Sequence, residues 1–394
     1  MCSSHANATS QTTVQASVLH GVRDLRLEER ELAPPAAGEV QVAVRATGLC
    51  GSDLHYYGHY RNGDILVKEP LSLGHESSAE VVAVGEGVTA LKTGDRVALE
   101  VGQPCGHCAR CSEGRYNICP DMRFRSSAKS FPHAQGTLQD RLNHPAAWCH
   151  KLPESMPWGV SALLEPLGVA IQATRRAGVS GAKGKTQGTQ QTEKVLVLGA
   201  GAVGLLVAGM CKVAGVPNVV IADVDANRVH FATQKKFADA AYVVPMGPRP
   251  ATTDEALATA KQTADTITAL ESVGGQVDVV FECTGVPSCV QTAIYATRPG
   301  GKVMLIGMGT PVQTLPISAA ALREVDICGV FRYANTYAEG IEILSKTDAA
   351  TGPDFASLIT HEYKGLAAVE DAFAMASRKE DDDGKLVIKV LVTN

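Results

Sequence analysis

The stretch KVLVLGAGAVGLLVAGMCKVAGVPNVVIADV, residues 194–224, decides the fold. It opens with an apolar run of strand length, turns through glycines, continues as a helix-compatible apolar segment, and ends in a second apolar run closed by Asp223. Strand, helix and strand in this order make a βαβ unit, whose strands lie parallel in a buried sheet. The turn reads Gly199-Ala200-Gly201-Ala202-Val203-Gly204, a G-x-G-x-x-G in the context that gives this motif meaning. Gly199 permits the tight turn, Gly201 lets backbone approach a pyrophosphate, and Gly204 lets helix pack on strand, while the helix N-terminus favours negative charge. Asp223 is placed to accept hydrogen bonds from an adenosine ribose and to repel a 2′-phosphate, which predicts NAD over NADP. Arg228 is a candidate to flank the adenine.

Working outward, VDVVFECTG (277–285) and GKVMLIG (301–307) continue the same rhythm. Before the fingerprint the text changes. From Val18 to about Leu99 it runs as short β-rich segments broken by Gly and Pro, such as VQVAVRA, SAEVVAVG and DRVALE. A chain of 394 residues exceeds what one core usually fills. Two domains are therefore expected, a β-rich one and a doubly wound α/β one. VDICGVF (325–331) breaks the βα rhythm and is read as the return to the first domain. Segment 180–194 and the polar, helix-compatible region from about 247 to 275 read as surface insertions.

Composition narrows the function. The chain is 45% hydrophobic and 20% charged with a net charge of −5, an ordinary globular balance without a basic footprint for nucleic acid. No apolar stretch reaches membrane-spanning length, and MCSSHANATSQTT lacks the pattern of a signal peptide. A cytoplasmic protein is expected, and Asn7-Ala8-Thr9 is read as a chance glycosylation match. In a reducing compartment eleven cysteines point to metal ligands or core packing instead of a disulfide framework.

Four of those cysteines, Cys105, Cys108, Cys111 and Cys119, sit in CGHCARCSEGRYNIC as C-x2-C-x2-C-x7-C. Tetrathiolate sites suit zinc or an iron–sulfur cluster, and four protein ligands leave no position for substrate, so the cluster is read as structural. A second set is dispersed: Cys50 in CGSDLHYYG, His75 and Glu76 in LGHES, and Glu165 in LLEPLGVA. Beside a nicotinamide fingerprint, a thiolate, an imidazole and two carboxylates suffice for a catalytic zinc with an open position.

Taken in order, CGSDLHYY, GHES, the four-cysteine segment, EPLGVA, GAGAVG, ECTG and FRYANT resemble the zinc-dependent medium-chain dehydrogenases, and within them the polyol branch. The stretch YYGHYRNGDILVKEPLSLGHES is similar to fungal sorbitol dehydrogenases. The resemblance implies a GroES-like catalytic domain from residues 1–167 and 327–394, with a Rossmann domain at 168–326. It also implies zinc on Cys50, His75 and Glu76, with Glu165 as a ligand or linked to the metal through water, and a structural zinc on the four cysteines. Polyol hydroxyls would meet Tyr56, Arg332 and Tyr333, and Cys283 and Thr284 would join the NAD site. Ser52 and His55 compete with Glu165 as the proton route. Ala334 stands where relatives often carry Cys. The implied activity is NAD-linked oxidation of sorbitol or xylitol to a ketose by a tetrameric enzyme. Arabinitol and threonine dehydrogenases share the metal and fold, and a non-catalytic NAD-binding protein is the reading from another class.

Overall fold

The computed structural model describes residues 12–179 and 194–394. Two compact units emerge, one formed by Met1–Glu165 with Ile359–Asn394, the other by Pro166–Leu358.

In the first unit a seven-stranded sheet runs in the order Cys149–Lys151, Arg96–Leu99, Glu76–Val84, Glu39–Gly48, Lys389–Thr393, Ile359–Lys364, with Arg141–Pro145 also pairing to Glu39–Gly48. Alternating apolar residues make this sheet. Val40, Val42, Val44, Val81, Val97 and Leu99 are buried together in one cluster, while Leu71, Leu73, Tyr56, Phe373 and Val390 belong to another. The strand Glu39–Gly48 is the organising element because two distant segments pair with its end: Gly48 faces Glu76 across one antiparallel ladder and Leu391 across the other.

The second unit is the doubly wound fold expected from the fingerprint. Its strands lie in the order Ala240–Val243, Asn218–Asp223, Lys194–Leu198, Val277–Glu282, Thr297–Leu305, Asp326–Gly329, every pair parallel. The order reverses between Lys194–Leu198 and Val277–Glu282, the position at which such sheets bind ligands beyond the strand C-termini.

Two expectations need correction here. VDICGVF does not return to the first unit: Asp326–Gly329 pairs with Thr297–Leu305, Ile327 facing Val303, and closes the parallel sheet as its edge. The crossing falls at Ile359, so residues 327–358 belong to the nucleotide-binding unit and not to the catalytic one. An edge strand with exposed residues lacks the continuous apolar run of its buried neighbours, and that is why the sequence misleads there. Nor is 247–275 a surface insertion. It contains the helix Thr253–Ala269, which joins the strands Ala240–Val243 and Val277–Glu282 and buries Ala260, Ala264 and Ile267. Alanines at helical spacing make an apolar stripe that looks polar by composition. The expectations on 180–193 and on Asn7-Ala8-Thr9 lie outside the described residues.

Candidate active site

The first group of side chains grows from one helix and one strand. The nine-residue helix Gly51–His59 starts at Cys50, and the carboxylate of Asp53, its third residue, accepts from the Cys50 N–H at 3.2 Å. The other Asp53 oxygen accepts from Ser126 Oγ at 2.5 Å and from the Gly74 N–H at 3.2 Å, and lies 3.2 Å from His75 Nδ1. A buried carboxylate on one ring nitrogen fixes the imidazole's orientation and leaves Nε2 for another partner. Burial works against the charged form of both groups, yet their mutual attraction holds Asp53 below and His75 well above the ordinary ranges.

His75 is followed by Glu76, the first residue of its strand, and Gly48 stands opposite. A Cβ at Gly48 would lie 2.3 Å from Glu76 Oε2, so this glycine keeps open the space the carboxylate fills. Cys50, His75 and Glu76 thereby present one sulfur, one nitrogen and one oxygen within 4.8 Å of each other. Glu76 is 1% exposed, and its Oε2 accepts no hydrogen bond among the described residues. A buried carboxylate beside a thiol and an oriented imidazole, all within reach of one ion, is what a zinc ligand set with an open position provides.

Glu165 is 6% exposed in the first turn of Leu164–Ala177 and is not among the three mutually close donors. Ser52 is half-buried and His55 exposed. Tyr56 is 2% exposed within a core cluster, its hydroxyl oxygen accepting from the Ala128 N–H at 3.2 Å, which leaves the O–H as a donor.

Sequence reasoning missed Asp53 and Lys389. Asp53 has a local signal, an acidic residue three positions after a helix cap. Lys389 is 4% exposed; its ammonium donates to Glu76 Oε1 at 2.7 Å and to the Leu49 carbonyl at 3.0 Å, and stands 2.7 Å from Glu76 Oε2. Burial alone would lower this lysine, but the charges of Glu76 and Cys50, and more weakly Glu165, raise it. A lone Lys inside the apolar run LVIKVLV was the available sign, since buried ammonium groups need partners.

Cys105, Cys108, Cys111 and Cys119 also converge within 4.8 Å. Sulfur separations are 4.0 Å for Cys105–Cys111, 3.5 Å for Cys108–Cys111 and 3.9 Å for Cys108–Cys119. A tetrahedron with zinc–sulfur bonds of about 2.3 Å has edges of about 3.8 Å. Gly106 and Gly114 adopt φ of 78° and 72°, the left-handed turns that wrap so short a loop. The backbone at His107 lowers Cys105 to about 6 and burial raises Cys111 to about 12; crowded thiols that cannot all ionise alone can do so around a cation. Tyr116, inside the loop, donates to Glu100 at 2.6 Å, and His150 Nε2 lies 2.7 Å from the same carboxylate.

In the second unit the fingerprint is built as the sequence implies. Gly199 has φ of 102° and a Cβ there would lie 2.8 Å from Thr284 Cγ2; one at Gly204 would lie 1.9 Å from the Gly199 carbonyl oxygen. Val203 lies in the first turn of Ala202–Val213, whose N-terminus meets this loop. Asp223 accepts from the Ala200 N–H at 2.6 Å and the Asp225 N–H at 3.0 Å, which aims its carboxylate at the loop. Arg228 Nη1 comes within 3.6 Å of a Cβ built on Gly201. Cys283 follows the strand Val277–Glu282 and its N–H donates to Leu198 O at 2.9 Å. Arg332 and Asn335 hold φ of 51° and 55° on either side of Tyr333 and Ala334. Two left-handed non-glycine residues in four positions are strain of the kind retained at binding sites. Gly168 permits this packing, since its Cβ would lie 2.8 Å from Thr336 Oγ1 and 2.9 Å from Tyr333 Cγ.

Residues 36–154 match the family model of the alcohol dehydrogenase GroES-like domain, and 202–346 that of the zinc-binding dehydrogenase. The chain is 38% identical to the sorbitol dehydrogenase of Gallus gallus, over 95% of this chain and 96% of that one. This chain belongs to the zinc-dependent medium-chain dehydrogenases. It is likewise 38% identical to the Arabidopsis thaliana sorbitol dehydrogenase, over 95% and 94% of the two chains, and 39% identical to the Homo sapiens protein, over 90% and 91%. Among solved structures, L-idonate 5-dehydrogenase from Escherichia coli superposes with a TM-score of 0.79 at 28% identity, over 98% of this chain and 99% of that one. An alcohol dehydrogenase from E. coli complexed with NADH gives 0.78 at 27%, over 97% and 99%. Zinc and NAD are the cofactors of this dehydrogenase.

Coenzyme choice is open to a direct test. Asp223→Ser removes the charge that repels a 2′-phosphate and a charged acceptor worth about 1.5–3 kcal/mol, so the KM for NAD should rise by about 10- to 100-fold while NADP turnover appears. Initial rates with both coenzymes read this out, and an unchanged NAD:NADP ratio contradicts the role of Asp223.

Proposed function

We propose that this dehydrogenase oxidises a secondary hydroxyl of a polyol, sorbitol or xylitol, to the ketose with NAD as acceptor. The observation that carries the reading is the ligand set. Glu76 supplies a carboxylate beside Cys50 and His75, with His75 and Glu76 buried and Cys50 half-buried, and the three ligand atoms lie within 4.8 Å of one another. Full-length similarity to curated sorbitol dehydrogenases supports the substrate class.

Cys50, His75 and Glu76 would hold zinc, which would supply Lewis-acid polarisation of the reacting hydroxyl, and the glycine loop would hold NAD, which would supply the hydride acceptor. Asp53 orients His75. We assign substrate hydroxyls to Arg332 and Tyr333, with the Tyr56 O–H as a further donor, because a chain of hydroxyls needs several fixed donors and acceptors. The proton's exit is assigned to Ser52 and His55, since exposed His55 meets water whereas Glu165 is buried. His55→Ala should lower turnover by up to about 10²-fold at neutral pH, with recovery on adding imidazole buffer. Full activity in that variant moves the route to Glu165.

A self-associating enzyme also fits. The edge strand Asp326–Gly329 has no strand on its outer side among the described residues, and Ile327 within it and Leu322 and Phe331 flanking it are exposed. Sheet edges of this kind are completed by a second copy or guarded by charge. Ile327→Lys should shift the chain to a smaller species in light scattering; a monomeric parent would remove the proposal.

The decisive experiment follows NADH formation on sorbitol, xylitol, L-arabinitol, threonine and a simple secondary alcohol, before and after chelation. Chelator-sensitive turnover highest on sorbitol or xylitol is expected. A best rate on threonine or the simple alcohol overturns the substrate class and leaves the family intact.

A further inference from the structure

We propose that Lys389 is a positioning residue that sets how firmly Cys50, His75 and Glu76 hold their metal, by competing with the cation for the Glu76 carboxylate. The inference rests on the reading that these three residues bind zinc. An ammonium and a dication seek the same lone pairs. Lys389 has no freedom to withdraw, because its backbone is paired into the sheet and its Nζ is shared between Leu49 O at 3.0 Å and Glu76 Oε1 at 2.7 Å. Glu76 is equally confined, with Gly48 across the ladder leaving just the space that Oε2 occupies. The ammonium lies 2.7 Å from both carboxylate oxygens, hydrogen-bonded to Oε1 and ion-paired with Oε2, so it faces the same lone pairs that the cation needs.

Charge counting gives the consequence. A dication held by a thiolate and a carboxylate is neutral overall, and Lys389 restores one positive charge at hydrogen-bond distance from the set. Metal retention is weakened, because part of the carboxylate's charge is spent on the ammonium. The metal's pull on a substrate oxygen is strengthened for the same reason.

The test measures zinc release from the holoenzyme into excess chelator, with the four-cysteine zinc as an internal reference. Lys389→Met and Lys389→Gln should release the Cys50-set zinc at least about tenfold more slowly than the parent, a change opposite in sign to the roughly 10- to 100-fold loss of affinity that follows removal of a supporting partner. Gln keeps a donor for Leu49 O and guards against a folding failure of Met. Lys389→Arg, which keeps the charge, should release at a rate close to the parent. Unchanged or faster release in Met and Gln overturns the proposal, as does a tenfold slowing in Arg, which would make side-chain shape the cause. A parent that holds a single zinc, unaffected by Cys50→Ser, instead overturns the underlying reading of the site.

Discussion

Replacing Cys50 by serine is expected to reduce the zinc content from two ions per chain to one and to lower polyol oxidation by about 10³-fold. The magnitude follows from what the metal supplies. Lewis-acid stabilisation of developing negative charge is worth several kcal/mol, and about 4 kcal/mol corresponds to three decades in rate. A serine hydroxyl is a poor zinc ligand at neutral pH, so the set falls to an imidazole and a carboxylate already engaged by Lys389. Stability should be spared. Position 50 caps the helix Gly51–His59, its N–H held by Asp53, and serine is among the favoured capping residues. The variant therefore separates chemistry from folding: metal analysis and NADH formation change together while the thermal midpoint stays. Retention of both ions, or undiminished turnover with one, would place the reactive metal elsewhere.

How much of this was visible beforehand differs by residue. Gly199, Gly201, Gly204 and Asp223 are legible because the chemistry they serve is contained in one βαβ unit, where spacing is geometry. The four cysteines are legible for the same reason, as one short loop must bring them together. Cys50 and Glu76 are separated by the helix Gly51–His59 and a short hairpin yet carry the right chemical types, so composition of the set compensates for distance. Lys389 lies 313 positions from Glu76 and reaches it through strand pairing alone, Leu391 opposite Gly48 and Gly48 opposite Glu76. No local pattern encodes that register. The misplaced domain crossing has a related cause. Whether a strand such as Asp326–Gly329 joins one sheet or another is settled by its neighbours, and an edge position removes the apolar continuity by which a parallel strand is recognised.

Cys119→Ser should act through stability where Cys50→Ser acts through chemistry. The loop around the four cysteines has little to hold it without a cation: its helix Ala109–Ser112 buries no residue, and Cys119 is its buried sulfur, packed with Val101, Met122 and Phe124. Removing one thiolate leaves three, which hold zinc far less tightly, and places a hydroxyl among apolar neighbours. Loosening the loop also withdraws the Tyr116 hydroxyl from Glu100, a buried carboxylate. The combined cost is about 3 kcal/mol, which for a unit of this size lowers the thermal midpoint by roughly 6–12 °C. Zinc content should fall to one ion per chain and proteolysis should open between Gly106 and Ile118, while the remaining zinc and the residual turnover per folded chain stay near the parent values. A variant that melts with the parent and resists protease would show that packing, and not the metal, holds the loop; one that loses turnover as severely as Cys50→Ser would show that the loop serves the reaction.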